Sequence, residues 1–271
     1  MKKTFKVIMA LTLTSTIFTG CGIKFGVESR NNNWFKKSFN NSQEYSSSTN
    51  VNISESIEGI TNLNISIDVS NVDIKYYDGT NIEISGVLSK YSKGVNVEKS
   101  SNKFIIKEES KQNKSINADY SSDLEINIPR SFNGDLEINF GVGECEVDDL
   151  EVNNMSVKTG VGSLSLKEIS FNKLELKSGV GEVSLETKKK TGDITIEGGI
   201  GEIYVSLGDI NGNLKLDGGL GSATIKVPTD APINISSDAG LGGANISAKT
   251  SKEAKFNFDV SVGIGEVEVT N

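Results

Sequence analysis

From Val51 onward, apolar residues occupy every second position over long stretches of the chain. The alternation is clearest in four segments, which are LNISIDVSNVDIKYY (63–77), NIEISGVLS (81–89), NKFIIKEES (102–110) and DLEINIPRS (123–131). Side chains of a β-strand point alternately to its two faces, so this period predicts strands with one buried face. A polar stretch at 111–122 predicts a loop, and no segment has the spacing of a helix. The sequence therefore predicts an all-β protein.

A Gly-aliphatic-Gly unit recurs seven times in the section from residue 132 to 271. Successive units begin 19 to 23 residues apart. A repeat of this length is typical of solenoids, in which each repeat stacks on the next. The glycines of the seven units are Gly141 and Gly143, Gly160 and Gly162, Gly179 and Gly181, Gly199 and Gly201, Gly219 and Gly221, Gly240 and Gly242, and Gly263 and Gly265.

The alternation changes phase at every one of these units. In KLELKSGVGEVSL (173–185), Leu174 and Val180 share one parity, whereas Val183 and Leu185 share the other, which places the slip just after the second glycine. A one-residue slip turns the apolar face outward unless the strand bends or bulges. The sequence therefore predicts two short strands joined at a glycine corner in each repeat, with Val180 on the buried face.

About twenty residues with two strands and two corners make one coil of a β-solenoid. We expect seven such coils, stacked in chain order at strand spacing with their apolar columns inside. The glycine-rich text is also similar to phosphate-binding loops. Those loops need a helix after the glycine turn, and each turn of this chain is followed by another strand. The glycines are therefore interpreted as structural corners.

The first 20 residues have the composition of an export signal. Basic residues precede an apolar stretch from 7 to 18 that is too short to span a membrane comfortably, and small residues follow it. The next residue is Cys21, and Thr19-Gly20 before it resembles the lipobox of bacterial lipoproteins, after which the cysteine is acylated. We expect a signal peptide at 1–20 and a lipid on Cys21. The alternative is an ordinary secretory signal with an incidental cysteine.

The segment 21–50 is rich in Asn and Ser and has no sustained period, which predicts a flexible tether behind the lipid. Trp34 and Phe35 beside Lys36 leave an alternative in which this segment dips into the membrane interface. The chain from 51 to 271 is then the folded domain. No later segment holds 18 continuous apolar residues, so the lipid is expected to be the membrane attachment.

The order of these segments resembles a known bacterial family. NISIDVSNVDIKYYDGTNIEISG, then LEINIPRSFNGDLEINF, then the glycine units are similar to the proposed-adhesin domain of unknown function called toast-rack, a β-strand-repeat family related to GIN-type heads. The resemblance covers residues 55–271 and is most specific at Ile128-Pro129. It implies an extracytoplasmic, right-handed β-solenoid-like domain of lipoproteins or other envelope proteins, some of them linked to envelope stress. It transfers no catalytic residues.

Composition excludes several kinds of chemistry. The chain has no histidine, which removes Ser-His and Cys-His nucleophile pairs and imidazole metal sites. Its formal net charge of −8 repels phosphate backbones, so no nucleic-acid partner is expected. If Cys21 carries lipid, Cys145 has no disulfide partner and is expected to be a buried, inert thiol. No cofactor is expected.

Carboxylates supply the remaining candidate chemistry. The position after the second corner glycine forms a column across the coils, in which Glu182 and Glu202 are neighbours about 5 Å apart by strand spacing. The pair is a weak candidate for Ca²⁺ or Mg²⁺, and solvated carboxylates are the default expectation. On another outward column, Lys177 beside Glu197 predicts an ion pair. The column that contains Glu182 and Glu202 consists of Glu144, Ser163, Glu182, Glu202, Ser222, Gly243 and Glu266.

These observations predict a lipid-anchored, non-catalytic β-solenoid on the outer face of the cell membrane, which binds or scaffolds an envelope protein or wall polymer. An accessory role in envelope-stress signalling is an alternative within binding functions. A polysaccharide-processing β-helix enzyme is the alternative from another class, and such enzymes need clustered carboxylates with a basic residue in one groove. The arginines of the chain are Arg30 and Arg130, and the repeat section has no long loops to wall a groove.

Overall fold

The computed structural model describes residues 49–111 and 121–271, and neither range contains a helix. The predicted signal peptide, Cys21, nearly all of the tether and most of the polar loop lie outside the described residues. Within those ranges, no helix is long and apolar enough to cross a membrane. The strands are β1 (Thr49–Ser56), β2 (Asn62–Tyr77), β3 (Asn81–Leu88), β4 (Ser92–Ser100), β5 (Lys103–Ser110), β6 (Ser122–Pro129), β7 (Asp135–Asp148), β8 (Asn154–Lys167), β9 (Phe171–Ile210), β10 (Leu214–Lys226), β11 (Ile233–Ile246) and β12 (Phe256–Thr270).

Alternation along the strands places one of their faces in the core, as the sequence predicts. In β2, Leu63, Ile65 and Ile67 are buried, and the residues between them are partly exposed. Side chains at such positions form one hydrophobic cluster that extends from Ile57 to Val269. Burying one aliphatic side chain stabilises a fold by about 1.5–3 kcal/mol. The repeated pattern therefore holds the sheet together, with no single dominant contact.

A parallel stack of strands forms the body of the domain, and we call each strand position in it a rung. β2 pairs with β7, β7 with β8, and β8 with residues 173–186 of β9. Residues 194–206 of β9 pair with β10, so this long strand supplies two rungs. Equivalent positions of the repeats lie side by side, as Cys145, Leu164 and Val183 do. One repeat thus corresponds to one rung.

The last two rungs are exchanged relative to their order in the chain. The sequence predicts coils stacked in chain order, but β10 pairs with β12, and β12 pairs with β11. Ile264 of the seventh glycine unit therefore lies between Leu220 of the fifth and Leu241 of the sixth. The prediction of sequential stacking is wrong because both strands carry the same alternation and the same glycine unit, so either order satisfies the pattern.

At the opposite end of the stack, the sheet divides into two branches at β2. Residues 62–67 of β2 pair with β5, whereas residues 70–77 pair with β6. Antiparallel strands complete the branches, with β4 beside β5 and with β3 and β1 beyond β6. The division falls at Asp68 and Val69, and Val69 is aligned with Val142 of the first glycine unit. At this end of the core, β3 and β4 run against the direction of the stack, and β1 runs along it.

Segments between the rungs add further core residues. Leu150 and Ile169 are fully buried there. Two buried threonines also lie in the connection within β9: the hydroxyl of Thr187 donates to the carbonyl of Ile169 at 2.9 Å, and that of Thr191 donates to the carbonyl of Asp209 at 3.0 Å. Because a buried hydroxyl needs a hydrogen-bond partner, these threonines tie neighbouring rungs together.

Candidate binding surface

The glycine units are corners at which the buried side of each strand changes phase. Leu176 and Val183 are buried, but Val180 between them is 45% exposed. The phase therefore changes at Gly179, not after Gly181, and Val180 points to solvent. The prediction of a buried Val180 is wrong because parity alone does not decide which of two neighbouring glycines carries the irregularity.

Close stacking of the backbone explains why glycine occupies these corners. Gly181 has a φ of +139°, which L side chains rarely adopt, and a Cβ there would overlap the carbonyl oxygen of Gly162 on the adjacent rung. A Cβ at Gly179 would overlap the carbonyl oxygen of Gly160. A Cβ would likewise press on a neighbouring carbonyl oxygen at Gly141, Gly143, Gly160, Gly162, Gly199, Gly201, Gly219, Gly221, Gly240, Gly242, Gly263 and Gly265.

An aliphatic side chain points outward between the two glycines of each unit, and these side chains form a row that we call the aliphatic ridge. Ile200 is 52% exposed and Leu241 is 71% exposed. The flanking glycines have no side chain to cover the row. Eight rungs at strand spacing give it a length of about 34 Å. The ridge begins with Val69 of β2, which has no flanking glycines and is partly exposed, as is Val142. In spatial order it comprises Val69, Val142, Val161, Val180, Ile200, Leu220, Ile264 and Leu241.

The predicted carboxylate column runs beside the ridge. Glu182 and Glu202 are both exposed, and burial raises the pKa of Glu144 above its ordinary value. In the described ranges, no three or more His, Cys, Asp or Glu side chains are grouped to hold a metal ion. The described residues offer no third acidic ligand for a cation between Glu182 and Glu202, so this site stays a prediction. In spatial order the column is Glu144, Ser163, Glu182, Glu202, Ser222, Glu266 and Gly243.

A second outward column borders the ridge on its other side. The ion pair predicted between Lys177 and Glu197 is present, with Nζ and Oε2 2.7 Å apart. Ser261 lies next to Asp217 and donates its hydroxyl to that carboxylate at 2.8 Å. Half-exposed pairs of this kind contribute less than about 1 kcal/mol each. The ridge is therefore an apolar row between two polar columns.

A column of amide and carboxylate side chains, which the sequence analysis missed, begins the rungs. Asn213 Nδ2 donates to Asp193 Oδ1 at 3.2 Å, and the backbone N–H of Asn257 donates to Asn213 Oδ1 at 3.0 Å. Its sequence signal is an Asn or Asp directly before each alternating apolar run, and Lys173 is the exception. These bonds link rungs, which is a structural role. In spatial order the column is Asn62, Asp135, Asn154, Lys173, Asp193, Asn213, Asn257 and Asn234.

Arg130 belongs to an ion-pair network and not to a groove. Its Nη2 lies 2.8 Å from Asp149 Oδ2, and its Nε lies 3.1 Å from Asp78 Oδ1. Lys189 Nζ lies 2.6 Å from the other oxygen of Asp149. The two cations hold the pKa of Asp149 below its usual range. The network joins the end of β6 to the repeats, and in it the guanidinium of Arg130 is paired with two aspartates.

Another carboxylate group lies on the outward face of the second half of β2. Asp73 is aligned with Glu125 on one side and with Glu146 on the other. Burial raises the pKa of Asp73. Lys75 Nζ lies 3.4 Å from both Asp73 and Glu125, and Lys167 Nζ lies 2.7 Å from Glu146. These carboxylates are thus neutralised on a sheet face, outside any enclosed groove.

Glu108 is a buried carboxylate at the point where β2 divides. Its side chain is almost fully buried, and its Oε2 accepts a hydrogen bond from the backbone N–H of Asp68 at 3.2 Å. Burial raises the pKa of Glu108, and hydrogen bonds from Ser92 and from the backbone of Asp68 and Val69 oppose that shift. The carboxylate therefore satisfies the backbone where the rung has no continuous neighbour on this side.

Cys145 is a buried thiol in the first glycine-containing rung. Its side chain is 2% exposed, and burial raises its pKa to about 12. A thiol in this environment holds no appreciable thiolate at neutral pH. It is placed as the sequence analysis expected, inside the core.

Comparison with known proteins gives the family of the chain. The family model described as Toastrack DUF4097 matches residues 60–271. Among solved structures, a proposed cell adhesion protein from Clostridium sporogenes is 15% identical, with coverage of 83% of this chain and 99% of that chain and a TM-score of 0.44. A proposed adhesin from Bacteroides fragilis is 14% identical, with coverage of 82% and 97% and a TM-score of 0.42. No curated protein gives a significant match. The family model covers most of the chain, so the protein belongs to the Toastrack DUF4097 family, as the sequence resemblance implies.

Proposed function

We propose that the protein is a non-catalytic binding and scaffold module of the bacterial envelope, and that the aliphatic ridge is its binding surface. The observation behind this proposal is the row of aliphatic side chains along the glycine corners, in which six successive rungs, from Val161 to Leu241, carry an exposed side chain. The exposed side chains of this row lie outside the core and do not contribute to its packing. A contiguous exposed apolar surface between polar borders is typical of a protein interaction site.

An envelope protein suits this surface better than a wall polymer. The side chains of the ridge form no hydrogen bonds, so a polar polymer laid on it would lose hydration without compensation. An apolar groove of a protein gains about 25 cal/mol for each Å² of apolar surface buried. Glu182 and Glu202 of the adjoining column would then face basic side chains at the rim of the contact, which favours correct orientation.

The finer architecture is also part of the proposal. We infer a right-handed β-solenoid-like body with one rung for each repeat of about 20 residues, because parallel strands are joined by right-handed connections in nearly all cases. The corner glycines keep the rungs close enough for a continuous ladder. Such a body would present the ridge as a rigid row, which lowers the entropic cost of binding.

Placement in the envelope rests on the N-terminal sequence. A signal peptide at 1–20, an acylated Cys21 and a tether at 21–50 would hold the domain at the outer face of the membrane. Labelling of cells with an alkyne fatty acid tests this anchor. We expect label on the native chain and neither label nor membrane retention for Cys21→Ala. A Cys21→Ala chain that stays in the membrane, with no label on the native chain, would contradict the anchor.

Binding is favoured over polysaccharide processing by the state of the charged side chains. A glycan-cleaving site needs a carboxylic acid and a second carboxylate on either side of a bound sugar. Asp73 and its neighbours lie on a sheet face and are paired with lysines. Arg130 is paired with two aspartates.

Photocrosslinking in living cells tests the ridge as a binding surface. A photoreactive amino acid is placed at Val180 or Ile200 of the full chain, and at the exposed Lys226 as a matched control. The proposal predicts a discrete protein adduct from both ridge positions and none of that mass from Lys226. The same adduct from all three positions, or no adduct from the ridge, would contradict it.

A further inference from the structure

Among the described residues, the stack ends at β11, where apolar side chains are left uncovered. β11 pairs with β12 on one side, and no strand of the described ranges lies on its other side. Ile246 is 45% exposed, whereas Val269, its neighbour in register, is fully buried. Leu241 also has most of its surface exposed. The edge therefore offers unpaired backbone groups together with uncovered apolar side chains.

β11 carries little of the charge that commonly keeps a sheet edge from pairing. Charged residues, lysine above all, usually protect edge strands. β4, an edge strand at the other end, carries Lys93 and Lys99, whereas Asp238 is the one charged residue of β11. A further difference lies at Gly243, because the equivalent position of the other glycine units carries Glu or Ser.

We propose that β11 pairs in antiparallel direction with β11 of a second copy of this chain, about a twofold axis at the glycine corner. The phase change at the corner sets the register. Inward positions of β11 include Ile235 and Ser237 before the corner and Ala244 and Ile246 after it. Placing Ile235 opposite Ile246 of the second copy also places Ser237 opposite Ala244. Both inward sets then face the joined core at once.

In this register, no charged residue of β11 faces a like charge of the second copy. Asp238 lies opposite Gly243 of the second copy. A glutamate at that position, as four other units have, would place like charges directly opposite each other twice in the dimer, which destabilises a strand pair. The remaining outward positions pair neutral polar residues, such as Ser236 with Asn245. The glycine thus removes the one repulsion that this pairing would meet.

A closed pair of copies fits the edge better than a continuing chain of copies. β11 is a single strand of 14 residues across the corner, whereas the opposite end finishes in two separate strands of 8 and 9 residues, β1 and β4. Head-to-tail growth therefore finds no matching edge, and like ends pair into a twofold dimer. The pairing depends on this edge alone and holds whether or not the ridge binds a partner.

Two substitutions of opposite charge at Gly243 test the dimer on the full chain in detergent. No atom lies within 4 Å of a Cβ built at Gly243, so both variants are expected to fold. Light scattering across a dilution series should give twice the mass of one chain for the native protein. Gly243→Glu should weaken the dimer at least about tenfold, and Gly243→Lys, which faces Asp238, should keep it. A monomeric native chain, or equal loss in both variants, overturns the proposal.

A disulfide tests the direction and register of the pairing. Asp238→Cys combined with Gly243→Cys should yield a covalent dimer on mild oxidation, because opposite residues of an antiparallel pair lie about 5 Å apart at their Cβ atoms. Asp238→Cys combined with Lys226→Cys is the control and should give little covalent dimer. Equal crosslinking of the two double variants, or none in the first, contradicts the register.

Discussion

Replacing Gly181 by alanine should destabilise the domain strongly, although the change adds only a methyl group. Gly181 has a φ of +139° in the third glycine corner, and a Cβ there would overlap the carbonyl oxygen of Gly162 on the adjacent rung. The new Cβ would overlap backbone atoms of Gly162, so no rotation of a side chain relieves the overlap. The rung has to move away from its neighbour or change its local conformation.

The size of the effect follows from these two costs. Holding a non-glycine residue in a sparsely populated backbone region costs about 1–3 kcal/mol. Moving the rung aside weakens the neighbouring ladder hydrogen bonds, each of which is worth about 1 kcal/mol. With about two bonds affected, we expect Gly181→Ala to lower the free energy of unfolding by about 3–5 kcal/mol. That is a large part of the roughly 5–15 kcal/mol that is typical of folded domains.

Equilibrium unfolding in urea, followed by far-UV circular dichroism, measures this loss. Gly243→Ala is the matched control, since its added Cβ meets no atom within 4 Å and should change stability by less than about 1 kcal/mol. A Gly181→Ala variant within about 1 kcal/mol of the native protein, or a control equally destabilised, would refute the reasoning.

Two buried groups give further predictions. Burial raises the pKa of Glu108 above its ordinary value, so the unfolded chain releases this proton at a lower pH than the folded chain, and stability falls as the pH rises through the folded pKa. Glu108→Gln removes that dependence. The urea midpoint of this variant minus that of the native protein should therefore increase when the pH is raised from about 4 to about 7. A difference that does not change with pH would contradict a buried Glu108 that holds its proton. Iodoacetamide should modify Cys145 at least about 100-fold more slowly in the folded chain than in urea, as read by peptide mass spectrometry; similar rates in both states are incompatible with its burial.

Local pattern was sufficient to predict much of the fold. Alternation identified β2 and the strands after it because a half-buried strand must repeat every second residue. The glycine units identified the corners because few other residues allow so close an approach of two backbones. The pairing of Lys177 with Glu197 followed from the repeat length alone, since equivalent positions of neighbouring repeats align.

Features that depend on the choice between equivalent arrangements were beyond the sequence pattern. β11 and β12 carry the same unit, so their exchanged order is set by tertiary packing. Val180 shares the parity of the buried Leu174 and Leu176, which predicts burial. It is exposed because the strand changes phase at Gly179, before Val180, and the sequence pattern does not show which of the two glycines carries the irregularity. The ridge was therefore missed, although a signal existed: an aliphatic residue between two glycines has no neighbouring side chain to pack beside it in its own strand.

Chemical protection of the ridge in cells is the most direct test of the proposed binding function. Ile200→Cys introduces a thiol on the ridge, and Lys188→Cys introduces one at another exposed site, while the native Cys145 stays buried. A small maleimide is applied to intact cells and to the purified full chain, and each site is quantified by peptide mass spectrometry. The account predicts slow labelling at position 200 in cells, fast labelling there in the purified chain, and equal rates at position 188. Equally fast labelling at position 200 in both settings would show that no partner covers the ridge.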